Sequence, residues 1–159
     1  MTRKTYTEKE AYERASLLCA RAEHCLSQIR GKLAAWGLSP AAQGRVLARL
    51  VDERFIDEAR FSRAYALDKF RYNGWGRLKI DLYLRQLGVR ESDRRDGIAE
   101  IPEQDYLNAL MELLRAKRNA LNAASDYELR GKLVRFALSR GFTMEEIIRC
   151  LPDDAEPQE

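Results

Sequence analysis

The sequence is poor in the groups on which catalysis most often depends. Histidine occurs once, at His24, in 159 residues. Cys19, Cys25 and Cys150 are odd in number and form no CxxC pair, which argues against a disulfide framework and fits a reducing cytoplasm. Cys19, His24 and Cys25 sit at offsets of five and one, so they do not converge on one helical face as metal ligands would. No GxSxG, no Walker lysine-serine loop and no HExxH is present. Neither a cofactor nor a metal is expected, and an enzyme is unsupported. No apolar run approaches a membrane span, and the opening stretch MTRKTYTEKEAYERA lacks the apolar centre of a signal peptide. Strand signals are also absent, since no β-branched residues alternate along any segment.

What remains is highly charged. A third of the residues are Asp, Glu, Lys or Arg, and the net charge is only +3. Its distribution is uneven. Residues 69–95 hold eight Lys/Arg against three acids, and 115–140 hold seven against two. Residues 96–114 carry five acids and no base, and 142–159 carry six acids and one base. Alternating basic and acidic segments suit a polyanion or an acidic protein surface as partner; they equally suit a solvated helical surface.

Leu, Ala, Arg and Glu dominate, and the pattern is helical nearly throughout. Thr7 with Glu10, Ser125 with Glu128 and Thr143 with Glu146 read as capping boxes. Ser39-Pro40 reads as an N-cap followed by proline at the first helical position, and Asp57 can cap the helix after it. Gly37, Gly88 and Gly141 read as stops, each followed by an apolar residue. They are spaced 51 and 53 residues apart and expose an internal repeat. Eight residues before each glycine stands Ile29, Ile80 or Leu133; four before stands Leu33, Leu84 or Ala137. After the glycines come Leu47 with Leu50, Ile98 with Ile101 and, three residues earlier in the third copy, Ile148 with Leu151. Each unit has room for three helices. The spacing predicts helices near 7–22, 25–36 and 40–53, then 57–72, 76–87 and 91–100, then 103–120, 126–140 and 143–151. The expected fold is all-α: three tandem three-helix repeats (7–55, 56–101 and 102–151) in an elongated helical array. The acidic segment 152–159 is expected to be disordered.

The stretch "YNGWGRLKI" (72–80) brackets Trp75 with Gly74 and Gly76. A phosphate cradle needs a strand before its glycines and Lys-Ser/Thr after them. Here a helix precedes and no hydroxyl follows, so the glycines should end one helix and start the next. Trp75 either packs in that corner or presents its ring to a base or a protein partner. On the following helix Leu78, Leu82 and Tyr83 are placed on an apolar side, and Arg77, Asp81 and Arg85 on an exposed face. Arg71, Arg77, Lys79 and Arg85, with Arg130, Lys132 and Arg135 of the third unit, are the candidate charged contacts to protein or DNA.

The segment LVDERFIDEARFSRAYALDKFRYNGWGRLKIDLYLRQLGV (50–89) resembles the central segment of the RecX regulatory family. The matching features are the acidic pair Asp57-Glu58, Arg60-Phe61, the turn with Gly74 and Gly76, and Gly88 at the helix end. RGKLVRFALSRGFTMEEIIRCL (130–151) is similar to that family's C-terminal unit, and SQIRGKLAAWGLS (27–39) to its first. The resemblance implies three tandem three-helix repeats. It also implies a non-enzymatic partner of RecA and of the RecA filament on single-stranded DNA, limiting filament growth, ATP hydrolysis and strand exchange. Such a protein would lie in the filament groove as a monomer, away from membranes, with at most weak direct DNA binding. Ala59 after the acidic pair, Val89-Arg90 where a Ser/Thr cap is expected, and the acidic 152–159 segment depart from the family pattern. Gly74→Val is expected to lower the melting temperature, because it would cost stability at the turn where one helix ends and the next starts; a thermal melt checks this.

Overall fold

The computed structural model describes residues 5–151; the expected disorder of 152–159 concerns residues outside these. Nine helices and no strand occur among the described residues: α1 Glu8–Arg21, α2 Leu26–Ala35, α3 Pro40–Asp52, α4 Glu58–Asn73, α5 Arg77–Gln86, α6 Glu91–Ala99, α7 Glu103–Ala120, α8 Asp126–Ser139 and α9 Met144–Cys150. Each lies within a residue or two of the span predicted for it. None of the described helices is long and apolar enough to cross a membrane.

The helix starts follow local chemistry. Thr7 and Thr143 accept from the N–H groups of Glu10 and Glu146, whose carboxylates accept in return from the Thr7 and Thr143 N–H groups. Ser39 and Asp57 cap α3 and α4. Ser125 forms only half of its expected box. Its hydroxyl accepts from Glu128 N–H, but the Glu128 carboxylate turns to the Ala124 N–H and to Lys132. At α6, where Val89-Arg90 supplies no hydroxyl, Arg90 precedes the helix and its guanidinium pairs with Asp93 at 2.9 Å.

The repeat is a structural one. Gly37, Gly88 and Gly141 take left-handed φ values of 89°, 79° and 97°. The residue after each one is buried and donates its N–H back to the residue four before the glycine: Leu38 to Leu33, Val89 to Leu84 and Phe142 to Ala137, at 3.1, 3.1 and 3.2 Å. This is a six-residue helix-ending motif, and it explains why apolar identity recurs at those two offsets. Ile29, Ile80 and Leu133 are buried one turn earlier. One assignment is corrected. Ile148 is 54% exposed, whereas Ile147 is fully buried and sits four residues before buried Leu151. The three-residue contraction of the third copy is not a whole turn, so the inward position moves by one.

The chain forms two compact units, one running to Tyr65 and including Tyr83–Gly97, the other made of Ala66–Leu82 and the residues from Ile98 on. The division falls inside α4 and α5. In the first unit α1, α2 and α3 pack around Ala11, Ala15, Ile29, Leu33, Val46, Leu47 and Leu50. Gly97 of α6 lies against the Ser62 backbone of α4, where a Cβ would come within 2.7 Å of the Ser62 carbonyl carbon. In the second unit α7, α8 and α9 pack around Tyr106, Leu110, Leu133, Ala137, Phe142 and Ile147. There the Gly76 N–H donates to Arg140 O at 2.7 Å and the Leu78 N–H to Gly141 O at 3.0 Å. A Cβ on Gly76 would stand 2.7 Å from Phe142 N, and one on Gly141 would stand 2.5 Å from Lys79 N. Gly76→Ala is therefore expected to cost about 1–3 kcal/mol. Gly44→Ala, where nothing approaches within 4 Å on a helix, should stabilise by about 0.5–1 kcal/mol. Urea unfolding of the two variants checks both signs.

Candidate partner-binding surface

The turn at 73–77 cannot cradle an anion, because its donors are taken. Gly74 has φ 66° and ends α4, with Trp75 N–H donating to Lys69 O at 3.1 Å. The N–H groups of Gly76, Arg77 and Leu78 at the start of α5 reach Arg140 O, the Tyr106 hydroxyl and Gly141 O. A helix N-terminus binds a phosphate through those same donors. The two glycines thus end one helix and open the next, and the sequence reading of this stretch as a joint agrees with the geometry.

Arg77 is where the structure departs from the expected exposed face. Its guanidinium lies over the Tyr106 ring at 3.8 Å and pairs with Glu103 and with Glu146, the latter at 3.4 Å. Tyr106 is fully buried between Phe70 and Phe142. Its hydroxyl accepts from Arg77 N–H and donates to Glu146 Oε1 at 3.2 Å, tying α5, α7 and α9 together. Burial pushes the Tyr106 phenol far above its ordinary pKa, the Arg77 N–H opposes this, and the Glu146 carboxylate adds to it. The folded state therefore holds a proton that the unfolded chain releases near pH 10. Stability from this group is present below that pH and falls as pH rises above it. Tyr106→Phe should destabilise by about 1–3 kcal/mol at neutral pH, because the Arg77 N–H loses its acceptor. The loss relative to wild type should shrink between pH 9 and 11, as followed by urea unfolding at each pH.

The basic aromatic surface lies beside this network in the second unit. Trp75 is half-buried, with Lys69 Nζ at 5.1 Å and Lys79 Nζ at 4.8 Å from its ring centre. Phe136 of α8, also half-buried, carries Lys117 Nζ at 4.9 Å and the Arg140 guanidinium carbon at 5.2 Å. Arg140 Nη1 also donates to Asn73 O at 3.1 Å, next to the Gly74–Gly76 turn. Four cations thus surround two rings. Each such contact is worth about 0.5–1 kcal/mol at a surface and leaves cationic charge facing solvent. Arg71 and Arg135 are exposed in the same unit, Arg135 folding back over Gly131. Lys132 pairs with Glu128 at 3.0 Å, and Arg130 is half-buried on α8. Arg85 is exposed but belongs to the first unit. Sequence reasoning missed Lys69, Lys117 and Phe136. Only the four-residue spacing of Phe136 and Arg140 was legible, and that spacing alone does not distinguish a surface ring from a core ring.

The other motif residues build joints in the first unit. Glu58 Oε1 accepts the Leu26 N–H that opens α2, at 3.1 Å. Arg60 pairs with Glu23 and donates to Arg54 O and Phe55 O just past α3, at 3.1 and 3.4 Å. Phe61 is buried against Tyr65. Leu78, Leu82 and Tyr83, placed on an apolar side, are 57%, 49% and 40% exposed, whereas Ile80 and Leu84 are the buried residues of α5. Burial raises the pKa of the Cys19 and Cys150 thiols, away from nucleophilic use. Among the described residues no group of three His, Cys, Asp or Glu side chains is arranged to hold a metal.

Comparison with known proteins agrees with the resemblance. The model of the second three-helix domain of RecX matches residues 57–97, and that of the third matches residues 103–151. Regulatory protein RecX of Halorhodospira halophila is 32% identical over 139 residues, 87% of this chain and 84% of that protein. Regulatory protein RecX of Vibrio parahaemolyticus is 29% identical over 152 residues, 96% of this chain and 94% of that one. Some relatives are longer: the chain spans 40% of the Lactobacillus johnsonii protein. The crystal structure of RecX from Lactobacillus salivarius superposes with a TM-score of 0.81 over 90% of this chain and 93% of that one, at 15% identity, and shares the fold. An all-α repeat fold, two matched three-helix domains and a relative of nearly equal length converge, and the chain belongs to the RecX family.

Proposed function

We propose that this chain is a non-catalytic, cytoplasmic regulator of the RecA recombinase. It binds RecA and its filament on single-stranded DNA, and limits filament extension, ATP hydrolysis and strand exchange. The observation that carries this reading is membership of a family whose relatives are named regulatory protein RecX. The three tandem repeats, 7–55, 56–101 and 102–151, are its contact units, and it acts as a monomer. Arg71, Trp75, Lys79, Arg85, Arg130, Lys132 and Arg135 remain the contact candidates, joined by Lys69, Lys117, Phe136 and Arg140. Arg77 sets the angle of α5 instead, because its charge is spent on Glu103 and Glu146.

A second reading is autonomous binding of nucleic acid, favoured by the two cation-flanked rings, on which bases could stack. The net charge of only +3 weighs against tight binding of this kind. Titration of the protein over a range of ratios into RecA of the same organism on single-stranded DNA should inhibit ATP hydrolysis. Unchanged ATPase over the whole range, with oligonucleotide binding that weakens steeply as salt rises, would favour the second reading.

A further inference from the structure

Three cations of the basic aromatic surface have no carboxylate partner. Lys79 over Trp75, and Lys117 and Arg140 over Phe136, make no ion pair among the described residues. Arg140 donates instead to the neutral Asn73 O at 3.1 Å. Nearby acids do not cancel this charge. Asp126 and Glu128 stand in the first turn of α8, and Phe136 lies about 12 Å beyond Glu128 along the helix. Glu128 also pairs with Lys132 at 3.0 Å. With Asp68 of α4 and Asp81 of α5 counted in full, the four cations around Trp75 and Phe136 remain in excess.

The same unit continues into residues 152–159, PDDAEPQE, which hold four acids, two prolines and no base. Proline pre-sets an extended backbone, and extended proline segments dock on aromatic rings. Glu156-Pro157 sets a carboxylate beside a ring-stacking face, the counterpart of a ring flanked by cations. The segment also starts within reach. Cys150 Sγ lies 3.9 Å from Leu107 O, and Lys117 stands about 15 Å further along α7. Leu151 follows α9, whose seven residues carry it about 10 Å from the turn at Gly141, over which Lys79 passes. Residues 152–159 span about 26 Å when extended. Tethering gives them a roughly millimolar effective concentration at the surface, so a contact of modest strength is populated.

We propose that residues 152–159 fold back on the basic aromatic surface as a removable cover, competing with the partners of that surface. The consequence rests on the reading of this surface as a partner contact, but the contact itself is tested without RecA. In ¹⁵N spectra of the full chain the Trp75 indole N–H reports on the surface. A tail variant, Asp154→Asn with Glu156→Gln and Glu159→Gln, should move that signal and the amides of residues 136–140. A charge-matched control at exposed sites of the first unit, Glu13→Gln with Asp52→Asn and Glu91→Gln, should leave them in place. Raising salt from about 0.02 to about 0.5 M should carry the wild-type Trp75 signal toward its position in the tail variant. Pro157→Ala should move it part of the way. A thymidine oligonucleotide at low salt should bind the tail variant about threefold or more tightly than the control. An unmoved Trp75 signal, an equal movement in the control, or no gain in oligonucleotide binding over the control would overturn the proposal. So would a Trp75 signal that depends on protein concentration, which would place the segment on a second copy. If the contact is seen and neither wild type nor tail variant affects RecA ATP hydrolysis, the cover stands and the RecA reading fails.

Discussion

The second unit depends on a place where two backbones meet with no side chain between them. Gly76 and Gly141 come close enough for two main-chain hydrogen bonds, Gly76 N–H to Arg140 O and Leu78 N–H to Gly141 O. Each glycine does two jobs. Gly141 ends α8 in a left-handed turn, and the same missing Cβ lets Lys79 pass over it. Gly76 opens α5 and uses its missing Cβ to reach the end of α8. Once this bridge is made, the start of α5 is fixed on α8. Arg77 then falls over Tyr106 and between Glu103 and Glu146, and Lys79 falls beside Trp75. The placement of the basic aromatic surface follows from a contact that contains no charge.

The first unit solves a similar problem with side chains. The ends of α2 and α3 expose backbone donors and acceptors that their own helices cannot satisfy. Glu58 and Arg60 are two residues apart at the start of α4 and reach opposite kinds of orphan group: the acid takes an N–H of α2, and the base takes carbonyls beyond α3. The densest part of the family signature is therefore a clasp. Its residues act through the ends of neighbouring helices, which is why they read as a motif without making a site.

Fold and site were legible to different degrees, for a physical reason. Helix ends are local events: Thr7, Ser39, Thr143 and the three glycines act within six residues, so their chemistry can be read along the chain. Ile148 was misplaced because a three-residue contraction fixes the face only after the helix has packed. Arg77 was misplaced because its partners lie 26 and 69 residues away. Lys69, Lys117 and Phe136 stayed hidden for the same reason, since a cation over a ring is a tertiary fact. The left-handed φ of Arg54, 63°, was equally silent, because nothing about an arginine in one sequence shows that its φ is positive.

Resting lysines on aromatic rings changes what an approaching anion encounters. A free surface lysine gives up about 1.5–2 kcal/mol of rotamer entropy when it is immobilised. Lys69 and Lys79 against Trp75, and Lys117 against Phe136, have surrendered part of that freedom already. Their charge is held in place before anything arrives, so association loses less disorder than the same charges would lose on a bare helix. The rings act here as rests that pre-order a cationic surface, and a moderate net charge can then be presented as a concentrated one.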